Sequence, residues 1–431
     1  MEKEAEVVVI GGGISGCATA YNLAKRGAKV VLLEKGKLAD EASGRTMGVV
    51  RQQGRQACEI PLMMESINIW GHLSEELQSE IDFIKGGNVW LAEAPQDLEE
   101  MEESAKASQS YGLDSKMITP DEVRKLVPIL ENEFLAAMHS PRDGHADPVK
   151  TVLAFARAAQ EHGAHIYENC AVQNIELQGG KIGGVLTDDG EIKTPTVVCV
   201  AGVWSAKLAR MVGLQLPIKV GRFAMAATEP RPPLFKTFLW GPRLGVRQTA
   251  DGSLYYCSGF RDPLDYDFTL DSFRDLRLWM PNLVKNRGLV KVNIGSDLLK
   301  DLARTLPGSP TKKSPFAFST GMEPKVNHKL VNKHLRLLEE FMPTLKGIKT
   351  VCTWSGLIDL TPDLIPILGK VERPRGFIIG AGFSGHGFAL GPITGRIMSE
   401  LALDGKTALP IEPFRYSRFI EGDYHPPEKL I

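Results

Sequence analysis

Val7-Val8-Val9-Ile10-Gly11-Gly12-Gly13-Ile14-Ser15-Gly16 forms the chain's first recognisable unit, and 18 residues past Gly16 stands Glu34. Four consecutive β-branched residues predict a strand buried on both faces. The glycines predict a tight turn into a helix with Ile14, Cys17, Ala18 and Tyr21 on one face, and Val30-Val31-Leu32-Leu33 predicts a second strand. Gly11 makes the turn, Gly13 lets backbone N–H groups approach a pyrophosphate at the helix N-terminus, and Gly16 allows close helix–strand packing. Glu34, at the end of the second strand, can accept hydrogen bonds from ribose hydroxyls. A Gly-x-Gly-x-x-Gly alone is weak, because glycines also serve ordinary turns. The strand before it, the helix and the acid after it favour a dinucleotide-binding βαβ unit over an empty one.

At 431 residues the chain exceeds one compact core, so two domains are expected. Its 51 basic and 52 acidic residues argue against a nucleic-acid surface or a polybasic membrane anchor. The first six residues are polar and acidic, and Val7–Ile10 is too short for a signal core or a membrane span, so a cytoplasmic protein is expected. Six cysteines without a Cys-x-x-Cys pair suit reduced thiols. The histidines lack metal spacing: His162 and His165 straddle a helix end at Gly163 and read as a surface pair, so no metal site is expected.

Residues 95–127 read as helical and charged, with Thr119-Pro120-Asp121-Glu122 as a capping box. Asp147 and Pro148 open a helix with Val149, Val152, Leu153 and Ala156 inward. Short strands follow at 171–177, 181–187 and 196–200, the last running into Ala201-Gly202-Val203-Trp204 and returning to the parallel sheet. Residues 218–259 read as antiparallel strands, with Arg243–Thr249 and Ser253–Gly259 as a hairpin around Asp251-Gly252. Residues 262–343 read as more helical, with Leu330, His334, Leu337, Leu338 and Phe341 on one face. Phe377-Ile378-Ile379 then leads into a second glycine loop and a helix carrying Ile393, Ile397, Met398 and Leu401. The fold class is α/β, α+β overall: a discontinuous Rossmann-type domain from 1–85, 142–217 and 345–431, and a mixed antiparallel-sheet domain from 86–141 and 218–344, with 262–343 inserted.

The second loop, Gly380-Ala381-Gly382-Phe383-Ser384-Gly385-His386-Gly387-Phe388, holds four glycines in its first eight residues, with a histidine among them. Its amides and the following helix N-terminus make a positive pole. Placed at N1 and the C2 oxygen of a flavin, that pole would stabilise the reduced form. The alternative is a tight structural turn.

These segments, with Ala42-Ser43-Gly44-Arg45, Trp354-Ser355-Gly356, Asp359 and Thr361-Pro362-Asp363, resemble the FAD-dependent D-amino-acid oxidase superfamily, within it glycine and sarcosine oxidases. Trp354–Gly369 most resembles the β subunits of heterotetrameric sarcosine oxidases and hydroxyproline dehydrogenases; 262–343 is poorly covered. The resemblance implies that Gly11, Gly13, Ile14, Ser15 and Gly16 hold the FAD pyrophosphate and that Glu34 and Lys35 meet the adenosine ribose. It implies that Ser43, Gly44, Arg45 and Met47 follow the chain towards the flavin, that Val172 lies beside the adenine, and that Ala201 and Trp204 lie near the cofactor's centre. Gly382, Ser384, Gly385, His386, Gly387 and Phe388 would embrace the pyrimidine side of the ring.

Departures from the family pattern matter. Ala389 stands where monomeric sarcosine oxidases place a substrate-binding lysine after His-Gly-Phe, and Gly356-Leu357-Ile358 lacks the glycine-oxidase arginine. Gly356 also stands where monomeric sarcosine oxidases tether FAD to a cysteine, so non-covalent FAD is expected. His145 does not match the register of the FMN-bearing histidine of sarcosine oxidase β subunits, so no FMN is carried over. Arg51, after Val49-Val50, matches a carboxylate-binding arginine, the alternative being an arginine bound to protein or to FAD phosphate. Arg247 and Tyr256, on the hairpin, either face substrate or are ordinary strand residues. His386 either polarises the flavin or orients substrate, against a packed histidine in a glycine turn. The expected reaction is oxidation of a CH–NH bond of an amino acid or N-substituted amino acid by hydride transfer to flavin N5, followed by imine hydrolysis. Electrons would pass to O2, or to another flavoprotein or quinone if the chain is a subunit of a hetero-oligomer; a non-redox FAD-binding assembly protein is the remaining alternative.

Overall fold

The computed structural model describes residues 1–286, 288–295, 298–299 and 323–425. Val7–Ile10 lies inside a six-stranded sheet ordered 367–370, 377–381, 197–199, 7–10, 30–33, 165–167. All neighbours are parallel except Ile367–Lys370, which runs antiparallel to Phe377–Ala381. Helices cover one face and pack on Val7, Val9, Val30, Leu32, Val198 and Ile378. Val8, Ile10, Val31, Leu33, Val197 and Ile379 fill the other face, beneath the 172–178, 181–187 and 190–193 ribbon and the Ser205–Met211 helix. Burial on both faces explains the unbroken apolar strands.

A second, larger sheet is ordered 290–293, 264–267, 219–228, 254–258, 244–248, 238–240, 88–92, 136–140, 116–118. Thr350–Leu360 also joins it, antiparallel to Lys219–Thr228. The boundary expected at 345 therefore falls too early: by sheet membership the chain returns to the first sheet only after Leu360. Within 262–343, Leu264–Asp267 and Val290–Asn293 are strands of this sheet, not helix. His328–Phe341 packs Val331, His334, Leu337, Leu338 and Phe341 inward, with Leu330 only half-buried. The insertion's residues 300–322 lie outside the described residues.

Other local expectations divide. Residues 95–127 are two helices, Pro95–Ser110 and Pro120–Leu126, separated by the strand Lys116–Ile118; the Thr119 capping box is formed. Pro148–Glu161 buries Val152 and Ala156 but leaves Val149 and Leu153 42% and 46% exposed. His162 and His165 are exposed, and no metal-holding cluster exists among the described residues. Among those residues no helix is long and apolar enough to cross a membrane.

Candidate active site

One elongated cavity runs from Gly11–Ser15 and Glu34, past Ser43, Arg45, Met47, Ala201 and Trp204, to Gly385–Phe388 and Arg51. Lys35 and Val172 also line it. Two helix N-termini face it. Ile14–Lys25 begins there after Gly13, and the 17-residue Gly387–Leu403 begins there after His386.

The glycine positions at the first end are forced. A Cβ on Gly11 would lie 2.6 Å from the Val200 carbonyl oxygen, and Gly11 holds φ +116°. A Cβ on Gly16 would overlap the Gly11 carbonyl oxygen, and one on Gly44 the Ala39 carbonyl oxygen, so these two shape the wall from behind without lining it. Gly13 has only Ser43 near its missing side chain, with Oγ at 2.8 Å. Ser43 Oγ accepts from the Ile14 N–H at 3.0 Å. Glu34 Oε2 accepts from the Gly12 N–H at 2.7 Å and Oε1 from the Gly36 N–H at 2.8 Å. Burial raises its pKa against those two donors. Each oxygen keeps a lone pair for a ribose hydroxyl. Lys35 pairs with Glu41, which also accepts from Trp204 Nε1 at 2.8 Å.

The C-terminal loop is held from beneath. Asp359 Oδ2 accepts from the Gly382 N–H at 2.7 Å, and the Asp359 carbonyl accepts from the Ser384 N–H at 2.9 Å. Burial pushes the Asp359 carboxyl up to about 6. Gly382, Ser384 and Gly385 have φ of +70°, +51° and +89°. Gly382 and Ser384 thus build the loop without reaching the cavity, while Gly385, His386, Gly387 and Phe388 line it.

The far end is polar and buried. Arg51 is 7% exposed, with its guanidinium 4.4 Å from the centre of the Trp240 ring; Nη1 donates to the Gln53 carbonyl at 3.1 Å. Arg55 also lines the cavity, and its buried Nε and Nη1 have no partner among the described residues. Neither arginine forms an ion pair among the described residues. His386 Nδ1 lies 2.8 Å from Glu59 Oε1, and its Nε2 is buried without a partner among the described residues. Burial and Arg55 push the His386 pKa down to about 4. Burial raises the Glu59 carboxyl, but the adjoining His386 and Arg55 outweigh it and leave its pKa lowered. Met47, Met225, Phe238 and Cys257 make the apolar wall.

Two expected residues sit elsewhere. Tyr256 points to the opposite side of its strand, into the core under His328–Phe341, where its hydroxyl meets Thr350 Oγ1 at 2.7 Å. Its neighbours Tyr255 and Cys257 take the other face. Arg247 does not line the cavity; it is bound to His145 Nδ1 at 3.1 Å and stacked on Tyr255. His145 is fully buried, with Nε2 3.0 Å from the Lys236 carbonyl. Arg55 and Glu59 escaped the sequence reading. They continue an Arg51-x-x-x-Arg55-x-x-x-Glu59 spacing, but Arg51 and Arg55 lie in a loop where helical spacing carries no signal.

The first end fits FAD. Its backbone N–H groups, forced glycines and carboxylate suit a pyrophosphate and a ribose, and the second helix N-terminus suits an electron-rich ring. The chain belongs to the DAO family: the model described as FAD dependent oxidoreductase matches residues 6–401. It is 27% identical over 430 residues to mitochondrial sarcosine dehydrogenase of Mus musculus, covering 97% of this chain and 42% of that protein. It is 25% identical to sarcosine oxidase subunit beta of Arthrobacter sp, covering 98% and 92%. The structure of L-amino acid deaminase from Proteus myxofaciens in complex with anthranilate superposes with a TM-score of 0.90 at 26% identity, covering 97% of this chain and 94% of that one. The chain spans 42–46% of the length of the mitochondrial sarcosine and dimethylglycine dehydrogenases it matches.

Proposed function

We propose that the chain oxidises the CH–NH bond of an amino acid or N-substituted amino acid, with FAD held non-covalently. The carrying observation is the pair of guanidiniums at the end of the cavity beside the second helix N-terminus, Arg51 buried and Arg55 half-buried, neither in an ion pair among the described residues. Glu59 and Asp143 act on both guanidiniums without pairing with either, and a substrate carboxylate would supply the paired counter-charge that buried cations need. Similarity to enzymes named for sarcosine and for L-amino acids supports this substrate class. Bound FAD would supply the hydride acceptor. Gly11–Ser15 and Glu34 hold its diphosphate and ribose. Arg51 and Arg55 anchor the carboxylate, and Met225, Phe238 and Trp240 exclude water around the reacting carbon. The oxidised substrate leaves as an imine and takes up water to give an oxo acid or aldehyde plus amine.

A cytoplasmic protein that works alone with O2, or in a hetero-oligomer with a protein or quinone acceptor, completes the reading. Hydrogen peroxide release by the purified chain separates the two acceptors. The test of function is anaerobic bleaching of the flavin by a panel of primary and secondary amino acids. Arg51→Ala should keep FAD and weaken carboxylate substrates by about 2–4 kcal/mol, with Arg51→Lys also impaired because an ammonium cannot form the bidentate fork. Simple amines should change little. Loss of FAD from the variant, or equal effects on both substrate classes, would overturn the assignment.

A further inference from the structure

We infer that Glu59 is a positioning residue for His386: it fixes the imidazole as the Nδ1–H tautomer, so that Nε2 offers a lone pair to the N–H of the substrate amine. The inference rests on the functional reading above for the identity of the ligand, but not for the tautomer.

A carboxylate only accepts, so the 2.8 Å contact makes Nδ1 the donor to Glu59 Oε1. Both residues are buried, Glu59 at 0% and His386 at 4% exposure. The geometry is rigid on the Glu59 side, because its Oε2 also accepts from the Gln56 N–H at 3.3 Å. Glu59 ends the Ala57–Glu59 turn that leads into Ile60–Trp70, so its backbone is fixed by helix packing. The charged groups acting on the ring are Arg51, Arg55 and Glu59. Burial and the two guanidiniums oppose a further cation on the ring and push His386 down, while the His386 hydrogen bond and Arg55 lower Glu59 against its own burial. A neutral ring donating through Nδ1 has an acceptor at Nε2, and that atom has no partner among the described residues.

A buried acceptor left unmade is costly, so the ring, which lines the cavity, should take its partner from the cavity's contents. The substrate carboxylate cannot donate and has the arginines. The amine can donate. The imidazole then holds the N–H without removing the proton, and it orients the nitrogen lone pair that must assist loss of the α-hydrogen. Selectivity follows. A neutral tertiary amine has no N–H, so primary and secondary amino acids should bind and their N,N-dialkyl counterparts should not.

Two measurements on the holoenzyme test this. In ¹⁵N NMR of histidine-labelled protein, with His386 signals identified by their loss in His386→Asn, Nε2 should report a bare lone pair from pH 5 to 8. Glu59→Gln should remove that bias with FAD still bound, and Glu59→Asp should partly restore it. In stopped-flow bleaching, sarcosine and L-proline should bind at least about tenfold more tightly than N,N-dimethylglycine and N-methyl-L-proline. Glu59→Gln should shrink that ratio. A protonated Nε2 in the parent protein overturns the tautomer, and equal binding of secondary and tertiary probes overturns the amine contact. A panel that bleaches nothing overturns the functional reading and the amine contact together, whereas the tautomer is decided by NMR alone.

Discussion

Glu34 already accepts two backbone N–H bonds, so it is preorganised for the ribose. Glu34→Ala should weaken FAD by ~1–3 kcal/mol in a titration of apoprotein, since charge-assisted hydrogen bonds are lost; unchanged affinity would remove Glu34 from the cofactor. Buried His145 makes a different prediction. Burial and the Arg247 guanidinium push its pKa down to about 3. The folded state therefore refuses a proton that the unfolded chain takes up below about pH 6.5. Its contribution to stability is complete above that pH and falls away as pH drops towards 3. His145→Gln should flatten the dependence of unfolding free energy on pH between 6.5 and 5 by about 1.4 kcal/mol per pH unit, the slope of one linked proton. An unchanged slope would show that His145 is protonated in the fold. Glu34 was legible in the sequence because its duty is local. Glu59 was not, because its partner lies 327 residues away and only the closed fold brings the two together.

The helix Ile14–Lys25 packs along Gly387–Leu403, and that contact sets both N-termini against one cavity. Gly391 and Gly395 make the approach possible. A Cβ on Gly391 would stand 2.6 Å from Ile14 Cγ2, and one on Gly395 would stand 2.5 Å from Ala18 Cβ. Gly395→Ala should cost about 1–3 kcal/mol through overpacking and should speed FAD loss, because pushing the helices apart moves both N-termini. Thermal unfolding and flavin release read the two effects; normal values for both would show that the helices give way elsewhere. The sequence carried the strands well, since a run of Val and Ile buried on two faces has no phase to mistake. Helix phase was harder. Pro148–Glu161 is rich in alanine, so its apolar stripe is wide, and Val149 and Leu153 fall on its edge: Val149 lies against the Ala39–Gly44 loop. Strand phase left Tyr256 open for a related reason, as Tyr255 and Tyr256 offer the same chemistry on opposite faces and only the packing under His328–Phe341 selects one.

Across the whole molecule the two sheets meet where Thr350–Leu360 hands the chain back to the parallel sheet, and the turn Thr361–Asp363 fastens that junction. Asp363 receives Arg418 through Nε at 2.7 Å and Nη2 at 3.0 Å, both residues 1% exposed. Its carbonyl accepts from Gln56 Nε2 at 2.5 Å, next to Arg55, and the Pro362 carbonyl accepts from Asn282 Nδ2 at 3.1 Å. One turn thus ties the C-terminal segment, the arginine loop of the cavity and the Leu276–Lys285 helix. A buried pair is weak evidence of net stability, because desolvating two charges offsets their attraction, but breaking one side strands the other charge. Arg418→Met should therefore lower stability by about 3–5 kcal/mol, and Asp363→Leu with Arg418→Met should recover most of that loss. The partial recovery is the informative quantity. Asp363→Leu keeps the carbonyl that holds Gln56, so the double variant should also regain the parent rate of flavin bleaching if the turn keeps its shape. Equal destabilisation in the single and double variants, measured by thermal unfolding of the holoenzyme, would mean that the bidentate geometry itself shapes the junction, and the arginine loop should then lose substrate affinity in both.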